Sequence, residues 1–161
     1  LFKFLKGTKY LKVDVMVVSE LSGLEQLRYM VEGKFPPPTM GVTMGMQPVE
    51  VAEGYVKFSA KATDKHLNPM GGVHGGYACT LLDSVTGCAV HSILAPGESY
   101  GTIDLNVKMM RPVPKGVELF AEGKVINISK SLGVSEGKLV DAAGKLYAHA
   151  TCTCKIIRAA G

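Results

Sequence analysis

A glycine-rich turn followed by a carboxylate is the part of this chain best suited to chemistry. Residues 68–83 read Asn-Pro-Met-Gly-Gly-Val-His-Gly-Gly-Tyr-Ala-Cys-Thr-Leu-Leu-Asp, and the pattern after His74 is helical. Glycines at the start of a helix leave backbone N–H groups free, and the helix dipole favours negative charge there. Asp83 lies eight residues after Gly75, about two turns at 3.6 residues per turn. The helix N-terminus can polarise a carbonyl group, and the carboxylate can activate a water molecule. Together they form a pair suited to hydrolysis.

The surroundings of Asp83 favour a catalytic role over that of a solvated surface charge. No other Asp, Glu, Lys or Arg occurs from Gly75 up to Glu98, so a helix in this region is expected to be buried nearly all round. A carboxylate in such a place is costly unless it is paired or functional. We therefore interpret Asp83 as a catalytic residue.

Hydrophobic periodicity predicts the elements that position this pair. Helical spacing covers about 20–33, with Ser19 or Ser22 and Gly33 as caps, and about 76–94. Strand-like alternation covers six segments, two of them around a turn at Glu53-Gly54 within 42–62 and the others at 101–110, 116–128, 132–140 and 145–157. Short turns between successive strands favour antiparallel neighbours. The sequence therefore predicts an α+β fold in which a curved antiparallel sheet wraps around one long apolar helix.

Composition and charge restrict the possible partners. The chain has 161 residues, 47% of them hydrophobic and 20% charged, which suits one globular domain. Lysines at 3, 6, 9 and 12 against Asp14 supply +3 of the net charge of +4. The rest is nearly neutral, and no basic stripe indicates a nucleic acid. No apolar run approaches the roughly 20 residues of a membrane span. We predict an N-terminal extension over 1–15, with Met16 as the natural start, and one domain over 16–161.

The four cysteines have neither zinc nor disulfide spacing. They are Cys79, Cys88, Cys152 and Cys154, and no Cys-x-x-Cys pair occurs among them. Reduced, packed thiols in a cytoplasmic protein are therefore expected, without a metal site.

The segment from Asn68 to Asp83 resembles the pattern of the PaaI-type hotdog-fold acyl-CoA thioesterases, the 4-hydroxybenzoyl-CoA thioesterase-like group. That pattern is Asn-x-x-Gly-x-x-His-Gly-Gly followed by Asp, and every element of it is present. Outside this segment the resemblance extends more weakly from about residue 20 to 158. It implies a hotdog fold, an acyl-CoA substrate, no cofactor beyond the CoA of the substrate, and a homodimer or homotetramer with the active site at a subunit interface.

The resemblance also implies a role for each catalytic candidate. The Gly75 N–H would bind the thioester oxygen, and Asn68 would hold the carbonyl or the attacking water. Asp83 of the other subunit would act as general base or as nucleophile. Thr102 stands where relatives carry a residue that orients the water. His74 would shape the turn and is a weaker catalytic candidate.

Substrate-binding candidates follow from the same resemblance. Basic groups are expected near the phosphates of CoA, and the loop at 129–133 resembles one that lies along the pantetheine arm. We expect the acyl pocket to use Leu81, Leu82 and the methionines of 40–46. The substrate-binding candidates are Gly76, Lys108, Arg111, Lys130, Ser131 and Leu132.

Parts of the sequence are also compatible with two other functions and one other catalytic motif. A hotdog dehydratase or hydratase acts on similar thioesters but pairs a catalytic histidine with an acid, and the His-Phe-Pro-Gly type motif of that group is missing. A non-catalytic acyl-CoA sensor would have little use for a water-activating carboxylate. The run 133–137 matches Gly-x-Ser-x-Gly, with Asp141 and His149 in the order of a hydrolase triad. That motif needs a strand–turn–helix, whereas these residues alternate as strands.

Overall fold

The computed structural model describes residues 19–158, and the predicted N-terminal extension lies outside this range. Within this range, three complete α-helices and a short 3₁₀ turn, Asp64–His66, accompany one sheet. The helices are α1 (Gly23–Val31), α2 (Thr39–Met44) and α3 (Gly75–His91). The strands are β1 (Gln47–Ala52), β2 (Tyr55–Lys61), β3 (Ser99–Met109), β4 (Glu118–Ile128), β5 (Leu132–Asp141) and β6 (Leu146–Ile157).

The six strands form one antiparallel sheet in the order β1-β2-β4-β5-β6-β3. Helix α3 packs against β2 to β6 and supplies much of the core, including the fully buried Leu81, Leu82 and Val85. This is the predicted α+β architecture of a sheet around one long helix. Strand β3, which is 11 residues long, forms an edge of the sheet.

Sheet glycines allow α3 to approach the sheet at backbone distance. Gly123 on β4 pairs with Gly137 on β5, directly beneath the helix. A Cβ added at Gly123 would lie 2.1 Å from the Val85 carbonyl oxygen, so only glycine fits there. The buried Ser135 hydroxyl on β5 donates to the Thr86 carbonyl at 3.0 Å. These contacts fix the rotation of α3 about its axis and hence the direction of its functional side chains.

Within one chain, α3 is not buried all round as the sequence suggested. Its sheet-facing side is buried, but a stripe at helical spacing on the other side is only half-buried. Cys79, Thr80, Asp83, Ser84 and Cys88 make up this stripe. The uncharged helix around Asp83 therefore has two different sides. One side packs on the sheet, and the other is a partly open face.

The main departure from the predicted elements is α2, which occupies 39–44, where the sequence suggested the start of a strand region. It is a single-turn helix that ends at Gly45 in the left-handed conformation, with φ of 67°. The other elements agree with prediction to within about three residues. The turn at Glu53-Gly54, the serine cap at Ser22 and the buried alternation of Val56, Phe58 and Ala60 are confirmed.

Candidate active site

The turn before α3 is organised by the side chain of Asn68. Its Oδ1 accepts from the Met70 N–H at 2.9 Å and the Gly72 N–H at 3.2 Å. The Asn68 N–H donates to the Gly72 carbonyl at 2.8 Å, and Gly71 has φ of 81°. Because the amide oxygen is used within the turn, Asn68 has only its Nδ2 hydrogens to offer a ligand.

His74 caps α3 and thereby selects which amide is left for a ligand. Its Nδ1 accepts from the Gly76 N–H at 2.8 Å, and its carbonyl accepts from the Tyr77 N–H at 2.9 Å. Among the described residues, the Gly75 N–H is then the one amide of the first three helical residues without an acceptor. His74 has the predicted turn-shaping position. Gly76, predicted to bind substrate, uses its N–H in the cap instead.

Two turns along α3, Asp83 is paired with Thr102 of β3. The Thr102 hydroxyl donates to Asp83 Oδ1 at 3.0 Å. Because Thr102 binds Oδ1, the other carboxylate oxygen, Oδ2, remains available to accept a proton. The structure therefore brings together the two side chains that the sequence assigned to water activation and orientation.

A β-bulge turns Thr102 toward Asp83. Leu105 and Val107 on β3 pack against the core, so strict alternation would turn Ile103 inward and Thr102 outward. The register against β6 shifts between Thr102 and Asp104, and Ile103 is the extra residue, with 62% of its surface exposed. A bulge beside an active site commonly re-aims a side chain in this way.

The thiols around this pair are packing groups. Cys154 Sγ lies 4.0 Å from Thr102 Oγ1 and 3.6 Å from Cys152 Sγ. The contact with Cys152 and burial raise the pKa of Cys154 far above its usual range. Burial raises the pKa of Cys88 to about 12. All four cysteines are free thiols in the structure.

A cavity of about 320 Å³ opens beside Gly75. Apolar side chains form most of its lining, and Arg111 contributes the one charged group. The Arg111 guanidinium is held by a bond from Nη1 to the Leu146 carbonyl at 2.6 Å. Leu81 and Leu82, expected in the acyl pocket, are core residues, and the methionines of 40–46 do not line this cavity either. Its lining is Val73, Gly75, Ala78, Met109, Met110, Arg111, Pro112, Val113, Tyr147 and Ala148.

The remaining substrate-binding candidates lie elsewhere in the chain. Lys108 pairs with His149 on the face of the sheet that α3 does not cover. Lys130 and Ser131 form the turn into β5, which begins at Leu132, and its second residue, Gly133, packs on Val90 near the end of α3. Because α3 has 17 residues, this turn and Gly75 are separated by about 24 Å along the helix. One chain does not bring them together.

The Gly-x-Ser-x-Gly motif is structural, as its strand pattern predicted. Ser135 is fully buried against the Thr86 carbonyl. His149 lies near Glu136, with Nε2 3.6 Å from Oε2, and Asp141 binds the backbone of its own turn at Ala143 and Lys145. No hydrogen bond joins these three residues in the described chain.

Known proteins agree with this architecture. The family model of the thioesterase superfamily matches residues 70–148. Acyl-coenzyme A thioesterase 13 of Homo sapiens is 32% identical over 104 residues, 63% of this chain and 72% of the relative. The structure of a phenylacetic acid degradation-related protein from Ralstonia eutropha JMP134 is 33% identical, with a TM-score of 0.73 over 80% of this chain and 97% of that one.

The E. coli PaaI protein of the phenylacetic acid degradation operon has the same fold, with a TM-score of 0.74 at 21% identity over 84% of this chain and 94% of that one. The chain belongs to the thioesterase superfamily, in the PaaI-type hotdog group that its Asn68–Asp83 segment resembles, and is a thioester hydrolase. None of the described helices is both long and apolar enough to cross a membrane.

Proposed function

We propose that this protein hydrolyses an acyl- or aryl-CoA thioester to the free acid and CoA, at a site shared between two subunits. The observation that carries the proposal is the separation of two complementary half-sites in one chain. The unpaired Gly75 N–H and Asp83, the partner of Thr102, lie on the same helix, eight residues or about 12 Å apart along its axis. A water on Asp83 is therefore too far from a carbonyl held at Gly75 of the same chain.

A two-fold dimer supplies the missing half of each site. Strand β3 is an exposed edge, and an unprotected edge of this length invites pairing with another chain. Pairing two β3 strands about a two-fold axis would set the half-buried stripes of the two α3 helices against each other, running in opposite directions. Asp83 of one subunit would then approach Gly75 of the other. A tetramer of two such dimers is compatible with the same site.

The reaction follows from the groups that this arrangement assembles. Asp83 takes a proton from water, and the resulting hydroxide attacks the thioester carbonyl carbon. The Gly75 N–H and Asn68 Nδ2 stabilise the oxyanion that develops on the carbonyl oxygen. The tetrahedral intermediate breaks its carbon–sulfur bond, and Asp83 returns the proton to the CoA thiolate. Thr102 fixes the orientation of the carboxylate by its bond to Oδ1.

Direct attack by Asp83 on the thioester is the second route open to this geometry. It would form a mixed anhydride that water then hydrolyses. A single turnover in H₂¹⁸O separates the two routes, because only the nucleophilic route leaves label in Asp83 when water attacks the carboxylate carbon.

In such a dimer, cationic side chains near both ends of α3 can contact the phosphates of one bound CoA. Arg111 lies beside Gly75, and Lys130 lies near the far end of α3, which antiparallel helices would place near Gly75 of the partner. Lys108 lies on the outer face, where an emerging nucleotide could pass. Phosphate contacts of this kind position the substrate without taking part in bond breaking.

The function is tested by release of free thiol from a panel of purified acyl-CoAs, including short, branched, aryl and long-chain members. We expect turnover with at least one class and its loss in Asp83→Asn. Absence of thiol release across the panel, with folded protein and an active control thioesterase, would contradict the proposal.

A further inference from the structure

The side chain of Met109 lies against the Cα of Gly75, the residue whose amide is proposed to bind the thioester oxygen. A Cβ added at Gly75 would lie 2.9 Å from Met109 Cε and 3.0 Å from Met109 Sδ. Because a carbon–carbon bond adds about 1.5 Å, both atoms lie within about 4.5 Å of the Gly75 Cα. Met109 lies at the end of edge strand β3, is 54% exposed, and lines the cavity beside Gly75.

A thioester bound at the Gly75 N–H and extending into this cavity would lie beside the Met109 thioether. A carbonyl oxygen that accepts from the Gly75 N–H lies about 2.9 Å from the nitrogen. The acyl carbon next to the carbonyl then falls within a few ångströms of Met109. A second substituent on that carbon needs space that the methionine occupies in this conformation.

We propose that Met109 is a specificity-determining residue that limits bulk on the acyl carbon adjacent to the thioester carbonyl. This inference rests on the proposed function. Met109 is well suited to the role because methionine is unbranched and flexible, so it yields to a linear chain more easily than to a branched one. Met110 provides a comparison, since it lines the same cavity and is 50% exposed, but its side chain is not among the nearest contacts of Gly75.

The test compares n-butyryl-CoA with isobutyryl-CoA, which have the same atoms and differ only in branching at that carbon. For Met109→Ala we expect the ratio of kcat/KM for isobutyryl- over n-butyryl-CoA to rise about tenfold, the effect typical of one methylene group in a pocket. Met110→Ala should leave this ratio within about twofold. Met109→Leu, of similar volume, should stay near the wild-type ratio.

A second variant pair tests the contact itself. Gly75→Ala introduces the Cβ that meets Met109, so the thioether must shift and the ratio should change. Adding Met109→Ala to Gly75→Ala should remove that change, since the coupling between contacting residues is non-additive. Circular dichroism and the oligomeric state of each variant verify folding, which truncation of a half-exposed side chain should preserve.

The outcomes separate the two proposals. If the wild type hydrolyses neither these two substrates nor any other acyl-CoA, the proposed function fails. If it hydrolyses both and Met109→Ala changes kcat/KM for the two equally, Met109 contacts the pantetheine side and the specificity role is wrong. An equal shift of the ratio in Met110→Ala would also overturn it.

Discussion

The two ends of the candidate site are built in different ways. At the start of α3, residues within nine positions of one another hold the Gly75 amide open, through the Asn68 turn and the His74 cap. Two turns later, Asp83 depends on a partner 19 residues away, and that partner faces inward because of a bulge in an edge strand. The first half-site is local and mostly backbone, whereas the second is tertiary and made of side chains.

This difference teaches how such a site can be divided between subunits. In the proposed mechanism the local half-site binds and polarises the thioester carbonyl, and hydrogen bonds between residues close in the chain hold its shape. The tertiary half-site is proposed to activate water, and it depends on the packing of α3 against the sheet and on β3. Each half-site lies within one chain, and the separation of about 12 Å along α3 is the reason for proposing that a second chain completes the site.

The largest effect is expected where the tertiary half-site carries the chemistry. Asp83→Asn keeps the shape and the acceptor oxygen for Thr102 but removes the base or nucleophile. We expect kcat to fall by about 10²–10⁴ with unchanged folding and assembly. Steady-state thiol release at saturating substrate measures this, and a rate near that of the wild type would show that Asp83 is not catalytic.

Asn68→Asp tests the local half-site without dismantling it. The new carboxylate can still accept from the Met70 and Gly72 N–H groups, so the turn and the melting temperature should be retained. It has no Nδ2 donor and brings a negative charge beside a developing oxyanion. We expect about 10²–10³-fold lower kcat, the cost typical of one lost oxyanion donor. Asn68→Ala, which removes the turn acceptor as well, should be destabilised in addition.

Thr102 contributes orientation, so its removal should cost less. Thr102→Val keeps the shape and removes the hydroxyl bond to Asp83, which as a hydrogen bond to a charged group contributes about 1.5–3 kcal/mol. A loss of roughly 10–100-fold in kcat is expected, with KM little changed. Thr102→Ser should recover most of the activity. A larger loss in Thr102→Ser than in Thr102→Val would indicate that the methyl packing matters rather than the hydroxyl.

The smallest expected effects are those of the peripheral cations. Arg111→Ala and Lys130→Ala should each raise KM for acyl-CoA about three- to tenfold at low salt, with kcat nearly constant. The increase should shrink as salt is added, because exposed charges are screened. Substrates shortened to acyl-pantetheine, which lack the nucleotide, are the control. If KM rises equally for the shortened substrates, these residues do not bind the phosphates.

The sequence predicted the local half-site more directly than the tertiary one. The turn, the His74 cap and the free Gly75 amide follow from residues close together in the chain. Thr102 was named as a site residue through the family resemblance alone, because strict strand alternation would have turned Ile103 toward the helix, and its bond to Asp83 was not predicted. A bulge depends on how one strand pairs with its neighbour, so the sequence of a single strand does not show where the extra residue lies.

Two further features were missed for physical reasons. Helix α2 contains Gly41, Val42 and Thr43, which have low helix propensity, so nothing marks it as helical before packing is known. The cavity lining at Met109 and Met110 was not recognised, because methionines in an apolar strand are most often core residues. The acyl pocket was assigned instead to Leu81 and Leu82, which α3 directs into the sheet.

Activity of a mixed dimer tests the shared site most directly. Asp83→Asn and Asn68→Asp subunits carrying different affinity tags can be co-expressed and the mixed dimers isolated by two successive purifications. If Asp83 serves the Gly75–Asn68 half-site of the other subunit, each mixed dimer has one intact site and should show about half the wild-type kcat. Both parent dimers should remain nearly inactive. A mixed dimer as inactive as its parents would contradict the account, because it would place both half-sites in the same subunit.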